Sequence, residues 1–370
     1  MAKGAYVGVD GVARKIKKGY VGVEGVARKI KKAYVGVGGV ARPFWSGGEL
    51  EYWGTATDLS VPRANLASAS VGDYALFAGG YSYSFNTGER FHPTVDAYNA
   101  NLTRSTPTAL SVARQHLAGT SVGDYALFAG GIDSSSSFTS TVDAYNTSLT
   151  RSTPTALSVA RDWLAGASVG DYAVFAGGRA SPSSSTVDAY NTSLTRSTPT
   201  ALSVAGDSLA GASVGNYAVF AGGRDGPPSS TVDAYDANLT RSTPTALSRA
   251  RYRLAGASVG DYALFAGGED SSSTSTVDAY NAGLTRSTPT ALSVARQLLA
   301  GASVGDYALF AGGEDSSSTS TVDAYNTSLT RSTPTALSVA RDSLAGTSVG
   351  NYALFGGGRY RSTVDVYTVS

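Results

Sequence analysis

The residues of this 370-residue chain best able to do chemistry recur in pairs. Just ahead of a recurring Leu stand Ala64-Asn65, Gln115-His116, Asp162-Trp163, Asp207-Ser208, Tyr252-Arg253, Gln297-Leu298 and Asp342-Ser343. A second varied set follows each Gly-Gly: Tyr81, Tyr83 and His92 in one long segment, then Ile132-Asp133, Arg179, Arg224, Glu269-Asp270, Glu314-Asp315 and Arg359-Tyr360-Arg361. Everything between these places is nearly constant. Trp, Tyr, Arg and His are the side chains that dominate binding hot spots, so the varied set predicts a recognition face. The candidate ligand contacts are Gln115, His116, Asp162, Trp163, Tyr252, Arg253, Gln297, Leu298, Tyr81, Tyr83, Arg179, Arg224 and Tyr360. Loops also drift when unconstrained. Yet the other constant turns are loops too, and they barely vary.

Catalysis is less well supplied. The chain has no Cys and only two His, which excludes cysteine nucleophiles, disulfides and three-histidine metal sites. One Asp recurs in every unit (Asp96, Asp143, Asp188, Asp233, Asp278, Asp323, Asp365). Seven equivalent carboxylates predict a structural role, a turn or an inter-blade hydrogen bond, because acid–base catalysis needs groups held at different pKa values. Glu269-Asp270 and Glu314-Asp315 lack calcium-loop spacing and read as solvated charge. No phosphate-binding or dinucleotide motif is present. No enzyme activity, cofactor or metal is expected.

The elements that position these residues come from an internal repeat. Gly-Gly pairs close an apolar run at Gly79-Gly80, Gly130-Gly131, Gly177-Gly178, Gly222-Gly223, Gly267-Gly268, Gly312-Gly313 and Gly357-Gly358. In the unit Arg161 to Ser203, Leu164 to Val169 reads as a strand of small residues, and Gly170-Asp171 as a two-residue hairpin turn. Tyr172 to Ala176 is apolar on both faces, as a strand between packed layers should be. Thr186 to Tyr190 is a third strand. Leu194 to Ser203 reads as a fourth, polar strand, placed at the outer edge because Pro199 cannot donate to a ladder. Four antiparallel strands with small residues inside make one propeller blade. The last unit stops after its third strand. Tyr52 to Ser60, ahead of the first unit, reads as the missing fourth strand, so the ring closes and loses its exposed edge. Up-down topology then puts the varied pairs and the varied loops on one face of the disc.

The Gly-Gly ending the second strand, the Tyr of the third (Tyr98, Tyr145, Tyr190) and the Arg after the fourth (Arg114, Arg161, Arg251, Arg296, Arg341) resemble the kelch-repeat β-propellers. The resemblance covers about residues 50–370. Two features depart from it: the fourth-strand Trp of kelch units is missing, with Leu102, Leu149 or Leu194 nearby, and Gly206 replaces one Arg. The copper oxidases among kelch propellers need a cysteine-modified tyrosine, which this chain cannot make. The expected fold is all-β: a seven-bladed kelch-type β-propeller closed by an N-terminal strand and preceded by a small β-hairpin or meander module.

That module has a 14-residue period, Ala5 to Lys18, Gly19 to Lys32 and Ala33 to Arg42, with turn signals at Asp10-Gly11, Glu24-Gly25 and Gly38-Gly39. Residues 1–45 carry a charge of +8 and the remainder −7, which the net +1 hides. The expected organisation is a basic meander over 1–48, for anchoring or oligomerisation, and a propeller over 49–370. Arg14, Lys15, Lys17, Arg28, Lys29 and Lys31 are the anchoring candidates. Sparse aromatics and an acidic disc argue against specific nucleic-acid binding, and no apolar run is long enough to insert in a membrane.

The Tyr-Val-Gly-Val-Asp-Gly-Val-Ala-Arg-Lys repeats resemble the N-termini of phage minor structural and tail-associated proteins of gut bacteria. This resemblance implies a virion adsorption protein made in the bacterial cytoplasm without a signal peptide. Residues 1–48 would meet other virion proteins, with a homotrimer as one possible assembly. One disc face would meet a host-surface glycan or protein. A cytoplasmic kelch-type interaction scaffold is the alternative.

Overall fold

The computed structural model describes residues 48–84, 86 and 88–369 in full; within 1–47 it describes the backbone of six strands. The chain falls into two compact units, Met1–Glu51 with Thr368–Ser370, and Tyr52–Tyr367. In the first, three two-stranded antiparallel hairpins pair Tyr6–Val9 with Val12–Lys15, Gly19–Val23 with Val26–Ile30, and Lys32–Val37 with Val40–Ser46. The first two hairpins each fall within one 14-residue repeat, and the third runs from Lys32 to Ser46. The side chains of Arg14, Lys15, Arg28 and Lys29, and all of Lys17 and Lys31, lie outside the described residues.

The larger unit is a β-propeller of seven four-stranded antiparallel sheets. In the third blade the strands are Ala165–Val169, Tyr172–Ala176, Val187–Asn191 and Arg196–Ser197, in that spatial order from the inside outward. The seventh blade orders Ala345–Val349, Tyr352–Gly356, Val364–Val369 and Leu50–Ala56, so the N-terminal strand does complete the last blade. The closure is held by side chains as well. Tyr52 Oη donates to Asp365 at 2.7 Å, and Ser362 Oγ donates to Asp58 at 2.8 Å. Among the described residues no helix is long and apolar enough to cross a membrane.

Small residues on the innermost strands let the blades approach at backbone level. A Cβ on Gly211 would sit 2.5 Å from the carbonyl oxygen of Gly166 in the blade before it. The inner-strand serines add hydrogen bonds across the same seam, such as Ser258 Oγ to Ser213 O at 2.6 Å. Further out, each third-strand Tyr is fully buried and meets a second-strand Phe edge to face, as with Phe175 and Tyr190 at 6.1 Å. Its hydroxyl donates to a backbone carbonyl of the linking segment, Thr155 O for Tyr190 at 2.8 Å.

The repeated Asp has a partner that the sequence reading did not assign. In six blades it lies against the recurring Arg in a fully buried ion pair, for example Arg161 with Asp188 at 2.9 Å and Arg251 with Asp278 at 2.8 Å. Each Arg also donates to two backbone carbonyls; Arg251 reaches Arg249 O and Phe265 O, both at 3.1 Å. The Asp further accepts from the backbone of the linking segment, as Ser248 N does to Asp278 at 3.0 Å. A charge taken out of water is tolerated only with this degree of compensation.

One expectation is corrected. The fourth strand is two residues long, Arg196–Ser197, and does not run from Leu194 to Ser203. Beyond it the chain turns inward: Leu202 is buried with its N–H on Ser185 O, and Ser203 N donates to Asp233 of the following blade. Pro199 has no N–H to offer a ladder, and the segment's donors are spent on the crossover instead.

His92, in the long loop of the first blade, is 2% exposed and hydrogen-bonded through Nε2 to Ser82 Oγ at 2.8 Å. Burial, reinforced by Arg63 and Arg90, pushes its pKa down to about 4. A depressed histidine pKa means that the unfolded chain binds the proton more readily. The stability it supports is therefore complete above about pH 6.5 and is lost as pH falls toward 4. The expected loss over that interval is up to about 3 kcal/mol. His92→Asn should flatten that part of a stability–pH curve from urea denaturation; an unchanged curve would show that His92 does not titrate with folding.

Candidate functional site

The seven positions Asn65, His116, Trp163, Ser208, Arg253, Leu298 and Ser343, the second member of each varied pair, all stand in the left-handed region with φ between 53° and 58°. Their backbones form a closed ring. His116 N donates to Asn65 O, Trp163 N to His116 O, Ser208 N to Trp163 O, Arg253 N to Ser208 O, Leu298 N to Arg253 O, Ser343 N to Leu298 O, and Asn65 N to Ser343 O, at 2.8–3.1 Å. The ring surrounds the propeller axis, and its side chains line a cavity of about 170 Å³ floored by Leu66, Leu117, Leu164, Leu209, Leu254, Leu299 and Leu344. The left-handed conformation lifts each side chain out of its blade, and the invariant Leu behind it supplies the apolar floor.

The first members of the pairs sit one step further out and hold the varied loops. Asp162 bridges to Arg179, Asp207 to Arg224, Tyr252 to Glu269, Gln297 to Glu314 and Ala64 to Tyr81, while Gln115 pairs with Ile132. The two varied places in each unit are thus one continuous surface. Their charges are largely matched within it. Arg179 makes a two-pronged contact with Asp162 at 2.7 and 3.0 Å. Arg224 lies 3.7 Å from Asp207 and stacks on the Tyr252 ring at 4.3 Å. Glu269 pairs with Arg253 at 2.9 Å, and Asp270, expected to be solvated, takes two hydrogen bonds from Arg249. Arg179 and Arg224 therefore shape the rim; neither is an unmatched cation.

Inside the cavity the chemistry is lopsided. His116 stacks on Trp163 with ring centroids 3.9 Å apart. Arg253 lies 5.9 Å from the centroid of the Trp163 ring and donates to Gln297 Oε1 at 3.1 Å. Gln115 Oε1 accepts from Asn65 Nδ2 at 2.9 Å. Leu298 and Ser343 make the opposite side smaller and less polar. Burial lowers the His116 pKa more than Asp162, 3.5 Å from Nδ1, raises it, so the ring is neutral near pH 7. Arg253 Nε and His116 Nδ1 are buried there without a hydrogen-bond partner.

Tyr81, Tyr83 and Tyr360 lie elsewhere. Tyr81–Ser84 forms a short hairpin with Gly88–Phe91. Tyr81 packs edge-on against Phe91 and Tyr360, at 5.6 and 5.8 Å, while Tyr83 and Tyr360 stay exposed. These side chains form a peripheral aromatic patch where the first and seventh blades meet, outside the axial cavity. Sequence reasoning did not single out Asn65, Ser208 and Ser343 as site residues, although their place in the repeat matches His116. Among the described residues no cluster of His, Asp and Glu is arranged to hold a metal ion.

An all-β ring of seven blades with a lined axial mouth defines a β-propeller. Among 751 chains of solved structures that match this one is YjhT, also a propeller, at 12% identity and a TM-score of 0.58 over 76% of this chain and 99% of that one. At that identity the likeness establishes the fold alone. No family model matches the chain, and no curated protein matches it.

Proposed function

We propose that the propeller is a recognition module of kelch type, and that its axial cavity binds one neutral polyhydroxylated ring, a sugar of a surface glycan. The observation that carries this reading is the convergence of all seven divergent pair positions on one cavity, above a backbone ring that does not vary. The His116–Trp163 stack offers a flat aromatic surface, the Arg253 guanidinium a polar lining group and the leucines an apolar floor. Matched charge around the rim favours a neutral ligand over an ionic one. Support for a binding role over catalysis comes from the recurring Asp, which is committed to structure, and from inner strands that carry no titratable group. The Gly-Gly pairs, third-strand Tyr and buried Arg support the kelch assignment.

The attachment part of the reading rests on the N-terminal repeats. Their resemblance to phage tail-associated proteins supports a virion adsorption protein anchored through residues 1–48, with the disc turned to the host surface. Weak single sites would then gain about 10²–10⁴ in avidity from many copies on one particle. The exposed aromatic patch of Tyr81, Tyr83 and Tyr360 favours a second reading, a scaffold that binds a protein partner at the disc edge.

Trp163→Ala should weaken binding to intact host cells, or to their isolated surface polysaccharide, by about 10–30-fold, the scale of one hot-spot aromatic. Its melting temperature should stay within about 2 °C of the parent. Unchanged binding would remove the axial cavity from the mechanism. Tyr360→Ala separates the two readings, since only the edge scaffold loses affinity. Cofractionation with virions tests attachment independently, and a protein found only outside particles would refute it.

A further inference from the structure

The fourth blade lacks the buried arginine of its six siblings but keeps the rest of that arginine's site. Gly206 occupies the arginine's place on the backbone: Gly206 N donates to Ser184 O as Arg161 N does to Thr139 O, and Gly206 O accepts from Gly178 N as Arg161 O does from Gly131 N. In the third blade the guanidinium of Arg161 donates to Val159 O at 3.1 Å and Phe175 O at 3.3 Å and pairs with Asp188 at 2.9 Å. The equivalent acceptors in the fourth blade are Val204 O, Phe220 O and Asp233. A narrow cleft lined by Val204, Gly206, Phe220, Gly222, Ser229 and Asp233 remains where the side chain would run. The cleft opens outward: Gly222 is partly exposed, whereas its six counterparts in the other Gly-Gly pairs are buried.

Asp233 retains its other partners. Ser203 donates to it through N and Oγ, and Arg241 approaches to 3.6 Å, as an outer arginine does in five of the siblings. The inner cation alone is missing. Burial raises the Asp233 pKa, the direction expected of a carboxylate short of positive charge.

We propose that this cleft is a binding site for a guanidinium group, in which Asp233, Phe220 O and Val204 O hold the ligand as their counterparts hold an arginine side chain. It is distinct from the axial cavity and does not depend on the glycan reading. The ligand class is a small planar cation with several N–H donors. A spherical cation such as sodium lacks those donors, and a neutral isostere such as urea lacks the charge.

The test is the melting temperature of the full chain with guanidinium chloride below about 20 mM, where its denaturing action is negligible, against equal sodium chloride and equal urea. The parent should show a saturable rise of about 2–3 °C with guanidinium only. Gly206→Arg fills the site covalently and should melt higher than the parent without responding to the salt. Arg161→Gly, which recreates the cleft in the third blade, should gain a response. Asp233→Asn should abolish the parent's response, and it serves if Gly206→Arg does not fold. No response in the parent, or an equal response in the parent and Asp233→Asn, overturns the proposal.

Discussion

Arg161→Ala is expected to lower the stability of the propeller by about 3–5 kcal/mol, the scale for removing one partner of a buried, hydrogen-bonded ion pair. For a domain of this size that corresponds to about 4–8 °C in melting temperature. The variant leaves Asp188, which is fully buried, with one hydrogen bond from Ser158 N and the partly exposed Arg196 at 3.7 Å, which cannot replace the buried cation. The loss belongs to the orphaned carboxylate more than to the missing attraction. Arg161→Met combined with Asp188→Asn should therefore recover most of it, because both charges leave together and the volume stays filled. Calorimetry of the single and double variants decides the matter. A single variant melting within 1 °C of the parent would show that the pair is not structural, and a double variant no better than the single would place the loss in packing.

The second large effect concerns ring closure. A chain lacking residues 1–48 should keep the propeller's melting temperature, whereas one lacking residues 1–57 should lose about 10 °C or more and unfold less cooperatively. The second cut removes the outer strand Leu50–Ala56 of the seventh blade and the Tyr52–Asp365 hydrogen bond. It also removes Thr57, whose carbonyl accepts from Tyr98 of the first blade at 2.7 Å. It leaves the third strand of the seventh blade as an exposed edge, a template for unwanted pairing. Aggregation on heating, followed by light scattering, should accompany the lower melting point. Equal melting of the two truncations would mean that the strand decorates the ring without closing it.

Much of this was legible in the residues because the repeat carries both the strands and their boundaries. The Gly-Gly pairs, the Gly-Asp turns and the absent fourth strand of the last unit were enough for seven blades and their closure. The partner of the recurring Asp was not legible. Arg161 and Asp188 stand on different segments of the unit, and nothing in their spacing says that they meet. Nor could periodicity tell which member of Asp162-Trp163 faces the axis. That choice is made by the left-handed backbone at Trp163, which turns it inward and leaves Asp162 to hold Arg179. The length of the fourth strand was overread because Thr, Ser and Leu suit an edge strand locally, whereas the crossover to the next blade needs the same donors.

The backbone ring at the axis has a consequence for how such a protein can change. Every link in it is made by main-chain atoms, so the ring's hydrogen bonds do not require any particular side chain at its seven stations. Each station can be rewritten alone, and the mouth of the disc behaves like a seven-place dial whose setting is independent of its bearing. The alphabet is restricted by one stereochemical rule. A left-handed backbone is a poor home for β-branched residues, and the stations read Asn, His, Trp, Ser, Arg, Leu and Ser, without Val, Ile or Thr. Shuffling whole units would then generate new specificities on an unchanged chassis, with Thr, Val and Ile as the letters the dial does not carry.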